Sequence, residues 1–195
     1  MVLGAVLAAI VLSGCGYNDI QAADESVKSA WSEVTNQYKR RADLIPNLVK
    51  TVKAFADQEK EVLTGVTEAR AKASQITVDP SNPESLKAFD AAQSNVGGAL
   101  SRLLVTVENY PQLKSDQNFR DLQAQLEGTE NRIAVARKRY IESVEGFNVL
   151  IRQIPANLTA MVFGYETKPQ FTVENETAIQ DAPAVNFDKP AAQSK

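Results

Sequence analysis

Apolar side chains recur at spacings of three and four along most of this chain, in four long runs separated by turn residues. The first run spans about residues 19–42, with Ile20, Val27, Trp31, Val34, Tyr38 and Arg41 on one face. The second spans about 44–76, through Ile45, Leu48, Val52, Phe55, Glu59, Val62, Val66, Ala69, Ala73 and Ile76. Nine of those ten positions are apolar, and their period is that of a helix, since a strand would alternate every second residue. Between the two runs stands Pro46, which has no N–H to donate and pushes Ile45 out of the α region. Asp43 is then expected to cap a second helix that carries Pro46 in its first turn.

A loop follows at Thr77-Val78-Asp79-Pro80-Ser81-Asn82-Pro83-Glu84, where Asn82 and Pro83 read as N-cap and first position of a third helix. Its stripe is Leu86, Phe89, Gln93, Val96, Leu100, Leu103, Val107 and Tyr110. Gly97-Gly98 in its middle weakens it by about 1 kcal/mol per glycine relative to alanine, which close packing of a neighbour or a kink would explain. Pro111 ends the third helix, and Ser115 or Asp116 caps a fourth running to about Ile154. That stripe is Phe119, Leu122, Leu126, Thr129, Ile133, Ala136, Tyr140, Ser143, Phe147, Leu150 and Ile154. Four such segments on short turns predict an all-α fold, an antiparallel four-helix bundle with long helices of roughly 35 to 55 Å. The alternative keeps the first two segments as one kinked helix and gives three. After Pro155 comes a short apolar run, Leu158 to Phe163. From residue 167 to 195 an extended or disordered tail is expected, with Val185-Asn186-Phe187 against the body.

Composition removes several functions. The length of 195 residues suits one domain, and a net charge of −3 gives no footprint for nucleic acid. There is no histidine, so the usual general base and commonest metal ligand are missing. The single cysteine, Cys15, has no partner for an intramolecular disulfide. It follows Leu12-Ser13-Gly14 at the end of an uncharged apolar run, and the arrangement resembles a bacterial lipobox whose cysteine is acylated. About 15 residues rise only about 22 Å, short of the bilayer's hydrocarbon core of about 30 Å. Residues 1–15 are therefore read as a signal peptide with lipobox, and the alternative is a truncated, uncleaved membrane anchor. A signal peptide opens on Lys or Arg and this run opens Met1-Val2-Leu3-Gly4, so the start is expected upstream. The flank after Cys15 carries no cluster of positive charge, which suits export.

Longer blocks extend the reading. They are Tyr38-Lys39-Arg40-Arg41-Ala42-Asp43-Leu44-Ile45-Pro46-Asn47-Leu48-Val49, Val107-Glu108-Asn109-Tyr110-Pro111-Gln112-Leu113-Lys114, and Leu126-Glu127-Gly128-Thr129-Glu130-Asn131-Arg132-Ile133. With Ala30-Trp31, Arg137, Tyr140 and Phe163-Gly164-Tyr165, the chain from Tyr17 to about Phe187 resembles the LemA family. Ile141 departs from the Asn often found after Tyr140, and the lipobox replaces a longer anchor. The resemblance implies a helical bundle, here residues 16–166, held at a bacterial membrane, with no established enzymatic activity. Relatives often sit near genes for membrane proteases or TPM-type proteins, and such an envelope protein is the expected partner.

Counting back from turns near 44, 79 and 113 puts the Arg41–Asn47 and Tyr110–Lys114 turns at one end of the bundle. The N-terminus and the 77–84 loop lie at the other. The membrane-distal tip, with Lys39, Arg40, Arg41, Asp43, Asn47, Asn109, Tyr110 and Lys114, is the expected partner-binding surface. Its polar residues exceed what a cap and a breaker require. The same count sets Glu59, Gln93 and Glu130 within about one to two turns of one level, a candidate buried polar layer with Arg70 or Arg137 as partners. The rival is that Glu59 and Glu130 point to water. No cofactor and no metal is expected: a ferritin-like site would need Glu-x-x-His motifs. The expected function is a membrane-anchored, non-enzymatic scaffold or protein-binding module of the cell envelope. It would be lipid-anchored with its body on the extracytoplasmic side. The alternatives are a self-associating structural lipoprotein, hence a homo-oligomer, and, more remotely, an enzyme using carboxylates such as Glu59, Glu127 and Glu130.

Overall fold

The computed structural model describes residues 2–171, with side chains from residue 16 onward. Cys15 as an acylation site, the Val185-Asn186-Phe187 contact and most of the expected tail lie outside what is described. Six helices form, with no strand among the described residues: α1 (Val2–Phe55), α2 (Lys60–Gln75), α3 (Pro83–Val107), α4 (Pro111–Ser115), α5 (Gln117–Leu150) and α6 (Ala156–Phe163). Among these residues no helix is long and apolar enough to cross a membrane.

The expected turn at Asp43–Pro46 is corrected. α1 runs unbroken through Pro46 for 54 residues, about 80 Å. Pro46 deprives the Ala42 carbonyl of its i+4 donor, and Arg70 of α2 supplies one: its Nε–H donates to that carbonyl at 2.7 Å. With the acceptor satisfied, the helix continues and Ile45, Leu48 and Val52 stay buried. The chain breaks instead at residues 56–59, where no proline or glycine marks it. Ala56 is buried there, and folding back lets α2 bury Leu63, Val66 and Ala73. Phe55, expected in the core, is 42% exposed beside it.

The architecture is a long antiparallel pair with unequal cover. α1 packs along α5, and the α2–α3 hairpin packs on the half of α1 far from its N-terminus. α2 has 16 residues, about 24 Å, so its loop into α3 reaches only the level of Trp31. The 77–84 loop is thus mid-rod, not at the N-terminal end. Asn82 caps α3 by accepting from the Glu84 and Ser85 N–H groups, with Pro83 at N1. Asp116 caps α5 by accepting from Phe119 N–H at 2.9 Å. Along the other half of α1, the chain after α6 returns as an extended strap. Tyr165 bonds Gln21, Lys168 Nζ pairs with Asp24 at 2.8 Å, and the Phe171 ring lies 5.9 Å from Trp31. Asn148 of α5 clamps both the N–H and the C=O of Lys168.

Gly97 and Gly98 do not admit a neighbour: a Cβ at either would meet nothing within 4 Å. With no contact to protect, Gly98→Ala is expected to stabilise by about 0.5–1 kcal/mol through helix propensity. A urea titration with unchanged slope and a higher midpoint would register it, and a lower midpoint would contradict it.

Candidate functional site

The buried apolar residues form two cores. The distal one joins Ile45, Leu48 and Val52 to Leu100, Leu103, Val107 and Phe119, and the proximal one joins Ile20, Val27 and Val34 to Ile133, Tyr140 and Phe147. Arg41 stands at their junction, 4% exposed. Its guanidinium donates to Glu130 Oε1 at 2.9 Å, to the Gln93 carbonyl at 3.0 Å and to Gln93 Oε1 at 2.6 Å. It also lies 5.0 Å from the centre of the Tyr38 ring. One side chain of α1 thereby ties α3 to α5.

One turn toward the N-terminus, Arg137 of α5 bonds the Asp90 carboxylate of α3 and donates to the Tyr38 hydroxyl at 3.0 Å. The Phe171 ring on the strap lies 4.2 Å from this guanidinium. Burial works to lower the Arg137 pKa, and its bonds to Asp90 and Tyr38 more than offset that and raise it. The two clusters face an open cleft of about 710 Å³ between α3 and α5, bordered also by Ser94 and Lys138. Nearby, burial pushes the Tyr140 phenol up to about 12. On α1 beside the strap, burial works to raise the Asp24 carboxyl pKa, but the Lys168 and Lys28 ammonium groups hold it below the usual range.

Gln93 and Glu130 therefore share a layer, with Glu130 half-exposed, and Arg41 rather than Arg70 completes it. Arg137 forms the adjoining cluster, and Arg70 serves the Pro46 site. Glu59 is not in this layer, because the chain turns at 56–59: it accepts from the Tyr110 hydroxyl at 2.7 Å at the far end. That bond to a carboxylate raises the Tyr110 pKa. Gln58 donates to the same hydroxyl at 2.9 Å.

The single tip expected from the turns is likewise corrected. Asn109, Tyr110 and Lys114 sit at the distal end, between α3 and α5. Lys39, Arg40, Arg41, Asp43 and Asn47 sit within the far half of α1 and not at its end, the nearest of them eight residues short of Phe55, about 12 Å. Lys39 pairs with Asp43 on the surface at 3.1 Å, Arg40 and Asn47 are exposed, and Arg41 is buried. Asp90 and Tyr38 went unread as site residues. Asp90 falls one turn before Gln93 on the same face, and that spacing is the signal that would have found it.

A model of the LemA family matches residues 30–187, a span that takes in both polar clusters and the distal end. The chain belongs to the LemA family. This LemA-family chain is 25% identical over 190 residues to two MamQ magnetosome proteins of Paramagnetospirillum magneticum, covering 87% of the chain and 68% of each relative. It is 31% identical over 99 residues to the magnetosome protein MamQ of Magnetospirillum gryphiswaldense, over 51% of the chain and 35% of that protein. It is also 24% identical over 143 residues to the protein LemA of Metamycoplasma hominis, over 73% of the chain and 63% of that relative.

Proposed function

We propose that the chain is a membrane-tethered, non-enzymatic scaffold or binding module of the bacterial envelope. Its lipid would be on Cys15, its body on the extracytoplasmic side, and its distal end would face an envelope partner. A membrane protease or TPM-type protein is the partner class that fits the family resemblance. The observation that carries this reading is where the reactive side chains are spent. Arg41, Glu130, Gln93, Arg137, Asp90 and Tyr38 bond one another across three helices. Glu59 and Glu130, the carboxylates an acid/base reading would pair, have different partners about 20 Å apart along the rod. Of the expected tip residues, Asn109 and Lys114 are exposed beside a turn at the end farthest from the apolar N-terminus.

The test is native-envelope crosslinking with single charge reversals on the anchored protein. Lys114→Glu is expected to lose the crosslinked partner and Arg40→Glu, mid-rod, to keep it, with stability changing by only about 0.5 kcal/mol in each. Identical partner sets for both variants and the parent would overturn the distal-end assignment. Sedimentation of the purified full chain as a dimer or larger species would favour the self-associating lipoprotein.

A further inference from the structure

We propose that α6 is a second membrane element, an interfacial helix lying in the bilayer surface beside the N-terminal anchor. This rests on the tethering proposed above and adds to it a specific contact. Ten large apolar side chains are exposed among the described residues, and five of them fall within 154–163: Ile154, Leu158, Met161, Val162 and Phe163. Exposure there is extreme, 84% at Ile154 and 79% at Val162. Single exposed apolar residues are ordinary, whereas a cluster needs an occupant. No charge occurs between Arg152 and Glu166.

The helix is mounted for that role. Its inner face is small, with Ala156, Thr159 and Ala160 buried. Ala156 sits so close to α1 that a Cβ on Gly16 would come within 3.1 Å of its Cα. At the other end of α6, Phe163 stacks on Tyr17 with ring centres 5.0 Å apart. Gly16 and Tyr17 are neighbours on α1, while Ala156 and Phe163 are separated by about 10 Å along α6. The Ala156–Gly16 contact and the Phe163–Tyr17 rings thus hold both ends of α6 against one short stretch of α1. With α1 standing normal to the bilayer, a helix held at that one level presents its exposed apolar side chains to the membrane surface.

The level fits too. α6 meets α1 where the charged body ends, since residues 2–18 carry no charge and Asp19 is the first. That level is the bilayer surface whether Cys15 is acylated or residues 2–14 remain as an anchor. Tyr17 and Tyr165 beside the patch are the amphipathic rings that favour such an interface. A second copy of the chain is the weaker occupant, because an eight-residue helix offers less than the about 800 Å² per partner of a stable interface.

The test places the full chain in phosphatidylcholine–phosphatidylglycerol vesicles with brominated acyl chains. Met161→Trp probes α6, Val162→Trp repeats the probe, and Val105→Trp serves as the distal control, with Trp31 a common background. Flotation reports tethering, and quenching reports the depth of the probe. All three variants are expected to float. Both α6 probes should be quenched about two-fold more than Val105→Trp, since an interfacial helix buries its apolar face by about 5–10 Å. Flotation with equal quenching would overturn the α6 assignment while the tethering holds. Failure to float would overturn both. A dimer in solution that Val162→Asp converts to monomer, with equal quenching, would assign the face to a second copy and overturn the proposal.

Discussion

Arg41→Ala is expected to destabilise the protein by about 3 kcal/mol, through its buried side. The two bonds to Gln93 are made inside the rod, and losing a charged donor costs about 1.5–3 kcal/mol in net hydrogen bonding. The alkyl stem adds lost packing at the junction of the two cores. The Glu130 bond contributes less, because that carboxylate is 48% exposed and water screens it. Glu130→Gln should therefore cost less than about 1 kcal/mol. Arg41→Met, which keeps the stem and drops the charge, should fall between the two. Urea unfolding of the three variants decides the matter. A loss at Glu130→Gln equal to that at Arg41→Ala would mean that the ion pair, and not the Gln93 bonds, holds the layer.

The second large effect is a coupling. Pro46→Ala is expected to stabilise by about 1–2 kcal/mol, short of the about 3 kcal/mol of an ordinary interior proline. The shortfall is Arg70, whose Nε–H already satisfies the Ala42 carbonyl. In the parent, Arg70→Ala should cost about 1–2 kcal/mol, the lower part of the range for an abandoned acceptor, because Ala42 is only half-buried. In a Pro46→Ala background the restored N–H serves that carbonyl, and the same arginine change should cost almost nothing. A double-mutant cycle then returns about 1–2 kcal/mol of coupling. Strict additivity would show that Arg70 holds α2 by other means and that α1 tolerates Pro46 unaided.

The helical class was legible in the spacing alone, and so was the Asn82 cap, while Asp116 stood beside Ser115 as one of two candidates. Asn82 and Asp116 act through neighbouring backbone, and nothing distant overrides them. Pro46 misleads for the opposite reason: the group that rescues it, Arg70, lies 28 residues from the Ala42 carbonyl it serves. The true break at 56–59 has no local mark, because it is set by where α2 finds apolar surface. Moving that turn displaced Glu59 from the polar layer and scattered the expected tip. The strict alternation of threes and fours also drifts against a period of 3.6. Hence Val144, and Ile151 just past the end of α5, are buried where a strict three-four spacing selects Ser143 and Leu150. Arg41 lies on the apolar stripe, but a turn at the neighbouring Pro46 would leave it exposed, and only the unbroken helix buries it.

The strap along α1 sets how far this sequence tolerates change in length. Its anchors at Tyr165, Lys168 and Phe171 climb beside Gln21, Asp24 and Trp31, so six residues of extended chain keep pace with ten of helix. A strap residue can advance up to about 3.3 Å, against 1.5 Å for a helical one, so about 20 Å of available chain covers about 15 Å of helix. One inserted or deleted residue between Tyr165 and Phe171 would therefore throw the later anchors out of step by more than a hydrogen bond can stretch. The exposed loop at 79–82 holds no such graduated contact and can absorb the same insertion at its surface. The strap works as a vernier, and its length is fixed by the pitch of the helix it measures.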